Sequence, residues 1–89
     1  MYKIELSNSA YKFLSKSKIP DKILSVIKQK ILSLQDDPRP AGCEKLKATT
    51  SNYYRIRQGD FRIVYELNEN EKKVIVVAIG HRKEIYRNL

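Results

Sequence analysis

The chain has 89 residues, of which 42% are hydrophobic and 31% charged. A chain of this size supports one hydrophobic core, so we predict a single domain over residues 1–89, and this composition excludes a disordered protein. Eighteen Lys and Arg residues against ten Asp and Glu residues give a net charge of +8. The excess predicts a polyanionic partner, and the position of the charges must distinguish RNA, DNA, an anionic membrane and an acidic protein.

The cysteine content and the N-terminal residues indicate a compartment. Cys43 is the only cysteine, so it cannot form an internal disulfide or pair with a second thiol to hold a metal. Residues 1–5 lack the apolar region of a signal peptide, and no apolar run approaches the roughly 18 residues that suggest a membrane span. We therefore predict a cytoplasmic protein without membrane contact.

The N-terminal half predicts one strand and two helices. Residues 2–6 alternate between apolar and charged side chains, which is the pattern of a short half-buried strand. Residues 7–9 supply cap oxygens for a first helix, and Pro20 starts a second because proline is tolerated in a first helical turn. The second helix carries an apolar stripe of Ile23, Ile27, Ile31 and Leu34, widened by Leu24 and Val26. We expect these helices to form an antiparallel hairpin that covers a sheet.

Three more strands are predicted after the helices. Residues 53–57 and 61–67 alternate around a Gln58-Gly59-Asp60 turn, which is typical of a β-hairpin. A polar turn separates this hairpin from residues 74–79, a continuous apolar run of strand length. The order β-α-α-β-β-β predicts an α+β fold, with a two-helix hairpin packed on an antiparallel sheet.

Alternation divides the hairpin side chains between two faces. One face should pack against the helices and carries Tyr54, Ile56, Phe61, Ile63 and Tyr65. The other carries Arg55, Arg57 and Arg62, and packing gives no reason to gather like charges there. A bound polyanion would explain the gathering of like charges, because arginine binds phosphate through two parallel hydrogen bonds. The alternative is a solvated face whose charges discourage aggregation.

The hairpin and the C-terminal segment resemble those of RelE/ParE toxins. The resemblance rests on Lys45-Leu46-Lys47, on residues 54–65 (YRIRQGDFRIVY) and on residues 79–86 (IGHRKEIY). The order of elements agrees as well, so it covers essentially the whole chain. It implies the RelE-like fold and the toxin of a type II toxin-antitoxin system, neutralised by a cognate antitoxin.

The two branches of this superfamily differ in target. RelE-type members are ribosome-dependent endoribonucleases that cut mRNA in the decoding site and so inhibit translation, whereas ParE-type members inhibit DNA gyrase. His81-Arg82 followed by Tyr86 looks more like the RNA-cutting branch. We therefore expect a metal-independent mRNA interferase that contacts mRNA and ribosomal RNA and needs no cofactor. A gyrase inhibitor and a non-toxic antitoxin-binding module are the alternatives.

The resemblance also implies a set of site residues. Its best-known members have lysines where Arg55 and Arg57 stand, and arginine is too basic to accept a proton, so this pair suits phosphate binding. Attack by a 2′-hydroxyl also needs a base, and an acid for the leaving oxygen. His81 is the only histidine; it suits proton transfer at neutral pH, although a lone histidine more often caps a strand. The predicted catalytic residues are Arg62, Arg82, Tyr86 and His81, the predicted phosphate-binding residues are Lys45, Lys47, Arg55, Arg57 and Lys83, and Glu66 and Glu84 are alternative bases.

Overall fold

A computed structural model describes residues 1–46 and 52–85. Its elements in chain order are β1 (Lys3–Leu6), α1 (Asn8–Lys16), α2 (Asp21–Ser33), β2 (Glu44–Lys45), β3 (Tyr53–Gln58), β4 (Phe61–Asn68) and β5 (Lys73–His81). The α+β class and the predicted elements are confirmed. Strand β2 is an addition that the sequence pattern did not predict.

The helices begin where the sequence offers caps. The Ser7 hydroxyl accepts a hydrogen bond from the Ala10 amide at 3.1 Å, which satisfies one of the unpaired donors at the start of α1. Helix α2 follows Pro20 and has Asp21 in its first turn, where a carboxylate suits the helix dipole. Tyr11 lines a cavity with Leu32, near the end of α2. Ser17, just after α1, lines a second cavity with Asp21 and Leu24, near the start of α2. The end of α1 thus lies beside the start of α2, and the two helices run antiparallel, as predicted.

The buried apolar stripe of α2 is narrower than predicted. Leu24, Ile27 and Ile31 are buried against the sheet. Ile23 and Val26 instead remain 40% exposed and flank the turn between β3 and β4. The prediction was wrong for these two residues because the contact with the sheet is narrower than the full run of apolar residues on the helix.

The five strands form one mixed sheet in the order β1-β5-β4-β3-β2. The pairs β3–β4 and β4–β5 are antiparallel, as predicted, and the added strand β2 is antiparallel to β3, but β1 pairs in parallel with β5. The prediction of an antiparallel sheet was therefore wrong at β1. The helices carry the chain from β1 to the opposite edge, and the meander then returns β5 to lie beside β1 in the same direction.

The main core lies between the helices and one face of the sheet. Ile63 and Tyr65 are fully buried there, Tyr54 and Ile56 nearly so, and Phe61 packs against them, which confirms the predicted inner face. The Tyr65 hydroxyl donates a 2.6 Å hydrogen bond to the carbonyl of Pro38. Burial raises the pKa of this phenol well above its ordinary value.

A second and smaller apolar cluster lies on the opposite face of the sheet. Val64, Ala78 and Ile85 are buried in it, and Leu46 and Val77 pack against them. A register shift between Val64 and Tyr65 marks a β-bulge at this point. Within the two described ranges, no helix is long and apolar enough to cross a membrane.

Candidate functional site

The sheet face opposite the helices, which we call the cation face, gathers the hairpin arginines. Arg57 on β3 lies directly opposite Arg62 on β4, and Arg62 lies opposite Gly80 on β5. Directly paired residues of an antiparallel ladder project to the same face, so the two arginines are neighbours. Gly80 adds no side chain to this row, which leaves the space beside Arg62 to other parts of the chain.

The Arg62 side chain is held over the tip of the hairpin. Its Nη1 atom donates hydrogen bonds to the carbonyls of Gly59, at 3.1 Å, and Phe61, at 3.0 Å. Gly59 has a φ of 59°, a left-handed conformation that glycine adopts without the clash of a Cβ atom. The turn therefore orients the guanidinium as well as reversing the chain.

The charges around Arg62 concentrate positive potential at one place. Partial burial lowers the pKa of its guanidinium, and the charges of Arg57, Arg55 and Arg82 lower it further, against the opposing effect of Asp60. An arginine so perturbed still stays protonated at neutral pH. The four guanidinium groups thus repel one another, and a bound anion would relieve the repulsion.

Strand β2 adds a carboxylate to the cation face. Glu44 lies opposite Arg55 in the ladder, and the guanidinium of Arg55 donates a hydrogen bond to the carboxylate in an ion pair. Glu44 was not among the predicted site residues, because β2 was not predicted. Glu44 and Leu46 share the face that carries the arginines, but a strand of two residues is too short to show a period in the sequence.

The structure does not bring Lys45 to the cation face. Lys45 pairs with Tyr54, whose ring lies in the main core, so the lysine projects to the helix side of this edge. Its neighbour Lys47, predicted to bind phosphate with it, lies outside the described residues. The predicted lysine pair thus contributes no observed charge beside Arg62.

His81 also projects to the helix side of the sheet. It pairs with Phe61 at the end of β5, and the two rings meet edge to face with their centroids 5.8 Å apart. Its Nδ1 atom accepts a hydrogen bond from the Lys83 amide at 3.2 Å. These contacts match the strand-capping role weighed in the sequence analysis, and they turn the ring away from the arginines.

The segment after β5 folds back toward the hairpin turn. The Arg82 amide donates a 2.8 Å hydrogen bond to the carbonyl of Asp60, and the Glu84 amide donates one of the same length to the carbonyl of His81. Arg82 and Lys83 are exposed at this point. Tyr86, the remaining predicted catalytic residue, lies outside the described residues.

Glu66, one of the alternative bases, lies farther from this corner of the molecule. Glu66 shares the cation face but stands in the row of Tyr53 and Ile75, at the opposite end of the hairpin from Arg62. Across the described ranges, no group of three or more His, Cys, Asp and Glu side chains is arranged to hold a metal ion. The described site therefore offers the arginines, the ion-paired carboxylate of Glu44 and the carboxylate of Asp60 near Arg62 as its chemical groups.

Comparisons with known proteins agree on a family. The model of the ParE toxin of the type II toxin-antitoxin system parDE matches residues 4–86. Toxin RelG of Mycobacterium tuberculosis is 27% identical over 71 residues, which is 79% of this chain and 80% of RelG.

Solved structures show the same fold. A chain of the RelB-RelE antitoxin-toxin complex from Methanococcus jannaschii is 30% identical, with a TM-score of 0.72 and coverage of 96% of this chain and 98% of that chain. The isolated RelE toxin of E. coli superposes with a TM-score of 0.75 over 100% of both chains at 20% identity. Since the family match includes both the arginine-bearing hairpin and the segment after β5, this protein belongs to the RelE/ParE superfamily of type II toxins.

Proposed function

We propose that this toxin is an endoribonuclease that cuts ribosome-bound mRNA and thereby stops translation. The proposal rests on the pairing of Arg57 with Arg62 across the hairpin. Arg82 lies near this pair because its amide donates a hydrogen bond to the carbonyl of Asp60 in the hairpin turn. Three guanidinium groups at one corner of the sheet match the needs of phosphoryl chemistry, in which negative charge builds on the phosphate oxygens.

Cleavage would proceed by attack of a 2′-hydroxyl on the adjacent phosphorus. The new O–P bond forms a 2′,3′-cyclic phosphate as the bond to the 5′-oxygen breaks, and that oxygen takes a proton from water as it leaves. Arg57 and Arg62 bind the non-bridging oxygens and stabilise the phosphorane, because arginine presents paired donors that match phosphate geometry. Arg82 stands at the edge of this pair, where it stabilises the leaving oxygen.

Glu44 is the candidate for the base that accepts the 2′-hydroxyl proton. It projects to the cation face and forms an ion pair with Arg55, one row from Arg57 and Arg62. Glu44 and Arg57 are diagonal neighbours on paired strands, about 7–8 Å apart, a span that a nucleotide bridges, whereas Arg62 lies one strand farther away. The arginines cannot serve as bases, and His81 faces the helix side, so a carboxylate is the better acceptor.

A cognate antitoxin is the proposed protein partner. Several structural matches are toxin-antitoxin complexes, including RelBE2 of Mycobacterium tuberculosis, with a TM-score of 0.77, and RelE-RelB of Pyrococcus horikoshii, with a TM-score of 0.78. A chain with a net charge of +8 suits an acidic partner. We propose that the antitoxin neutralises this toxin by covering part of that charge.

The proposal is tested by incubating the purified toxin with programmed ribosomes and mapping the mRNA ends. Wild-type protein should cut within the decoding site and leave 2′,3′-cyclic phosphate ends. The Arg62→Ala variant should cut at least about 10²-fold more slowly, as loss of a preorganised charge donor typically does. The Arg39→Ala variant is the matched control, because Arg39 pairs with Glu69 in the turn after β4, away from the cation face. Equal rates for the two variants would refute the assignment.

Inhibition of DNA gyrase is the second candidate function, because the family model that matches this chain is that of a ParE toxin. ParE-type members of the superfamily inhibit DNA gyrase. The same preparation should therefore be assayed for gyrase supercoiling. Inhibition without mRNA cleavage would establish this alternative, and absence of both activities would favour a non-toxic antitoxin-binding module.

The role of Glu44 is tested by the Glu44→Gln variant. A base contributes roughly 10²–10⁴-fold to the rate, so the variant should lose at least the lower figure in kcat. If Glu44 only balances the charge of Arg55, the variant should instead bind RNA more tightly and keep its rate. Measuring kcat and RNA affinity on the same preparation separates these roles.

A further inference from the structure

The small apolar cluster on the cation face has no part in the main core. Val64, Ala78 and Ile85 are each less than 9% exposed in this cluster, although the surface around them is charged. Val64 and Ala78 are paired with each other and adjoin Arg55 and Arg62. Ile85 is different, because it comes from the short segment after β5 and reaches the sheet from outside the strands.

Ile85 packs directly over Gly80. A Cβ atom placed on Gly80 would lie 3.6 Å from the Cα, Cβ and Cδ1 atoms of Ile85, which is ordinary van der Waals contact. The isoleucine therefore covers the backbone of Gly80 directly. Gly80 pairs with Arg62, so Ile85 packs on the row that contains the proposed phosphate-binding arginines.

The segment between these two residues carries Arg82. Its described attachments are the hydrogen bonds from the Arg82 amide to Asp60, from the Lys83 amide to His81 Nδ1 and from the Glu84 amide to the His81 carbonyl, together with the burial of Ile85. These three hydrogen bonds, donated by exposed residues, contribute little on their own, since water competes for the same groups. Burial of an isoleucine removes a large apolar surface from water and is the stronger of these attachments.

We infer that Ile85 is a positioning residue that holds the C-terminal segment on the cation face and so keeps Arg82 beside Arg62. This inference rests on the proposed function for its catalytic consequence. Ile85 itself touches no substrate. It fixes where the chain carrying Arg82 lies, and a displacement of about 1 Å in a catalytic group can lower a rate by 10²-fold.

The experiment compares three single variants of the full chain. Ile85→Ala removes most of the buried side chain, Ile85→Val keeps most of it, and Ile75→Ala makes the same chemical change at the other end of β5, on the same face. Amide hydrogen exchange at Arg82 and Glu84 reports whether the segment stays attached. Cleavage of ribosome-bound mRNA gives kcat and KM.

Ile85→Ala should raise exchange at Arg82 and Glu84 by at least about 10-fold and lower kcat by about 10- to 100-fold, with KM changed much less. Ile85→Val should restore both properties, and Ile75→Ala should leave both at the wild-type level. Exchange within β3 and β4 should stay unchanged in every variant, which shows that the fold is intact.

A second pair of variants disturbs the same contact from the opposite side. Gly80→Ala adds a Cβ atom that the space tolerates, whereas Gly80→Val adds methyl groups that push Ile85 away. Gly80→Val should reproduce the effects of Ile85→Ala, and Gly80→Ala should not.

Two results would overturn the inference. One is unchanged exchange at Arg82 in Ile85→Ala, which would mean that other contacts hold the segment. The other is increased exchange with normal kcat, which would mean that attachment has no catalytic role. A wild-type protein without cleavage activity would instead refute the proposed function, and the exchange measurements would still decide whether Ile85 holds the segment.

Discussion

On strand β4, the adjacent residues Arg62 and Ile63 project to opposite faces of the sheet, and the two faces differ in burial and charge. Ile63 is fully buried under the helices, while Arg62, one position earlier, lies partly exposed among three other arginines. The helix-covered face is apolar and closely packed, as a face that contributes to stability should be. The cation face gathers like charges whose repulsion opposes folding until an anion binds, and its described stabilising contacts include the small Val64 cluster and the Arg55–Glu44 ion pair. A single strand thus separates the residues that maintain the fold from those proposed to act on RNA.

The sharpest test of this comparison is the adjacent pair Ile63→Ala and Arg62→Ala. Ile63→Ala leaves a cavity in the main core and should lower the free energy of unfolding by about 2–5 kcal/mol. Arg62→Ala should change it by less than about 0.5 kcal/mol, because the lost contacts are offset by reduced repulsion. Urea denaturation of both variants measures the difference. A large loss of stability in Arg62→Ala would show that the cation face also holds the fold together.

Tyr65→Phe tests the polar contact within the helix-covered face. It removes the hydrogen bond to the Pro38 carbonyl and should cost about 1 kcal/mol. Because burial raises the pKa of the folded phenol, its stabilisation is complete below the unfolded pKa of about 10 and is lost as pH rises toward the folded value. Stability should therefore fall less steeply above pH ~10 in Tyr65→Phe than in the wild type. Parallel pH curves would contradict this, and Tyr11→Phe, at an exposed position, is the control.

Arg57→Gln should have the smallest effect on stability, below about 0.5 kcal/mol. Its effect should appear instead in RNA binding, where the log-log salt dependence of affinity falls by about 0.7 for one lost phosphate contact. Arg39→Gln removes the same charge from an exposed ion pair with Glu69 and should leave the salt dependence unchanged. Equal changes in both variants would mean that net charge, rather than the cation face, attracts RNA.

Local pattern was enough to predict much of the fold. Period-two alternation placed Tyr54, Ile56 and Ile63 under the helices and Arg55, Arg57 and Arg62 on the other side, because successive strand residues must project to opposite faces. The same rule failed to identify Glu44, since a strand of two residues is too short to show a period.

Other features depended on contacts between distant parts of the chain. Alternation cannot tell whether a strand pairs in parallel, so the β1–β5 pairing appeared only in the structure. The orientation of His81 depended on its ladder partner Phe61. The packing of Ile85 against Gly80 depended on how the chain turns after β5.

The sequence by itself determined the class of fold, the division of the hairpin into an apolar and a charged face, and the family resemblance that the comparisons confirmed. These follow from local alternation, capping and composition, which operate over a few residues. Only the tertiary structure decided which charges meet. It placed Glu44 beside Arg55, tied Arg82 to the hairpin turn, and turned Lys45 and His81 to the helix side. Strand register and the path of the chain after β5 set these contacts, and neither is encoded in a local pattern.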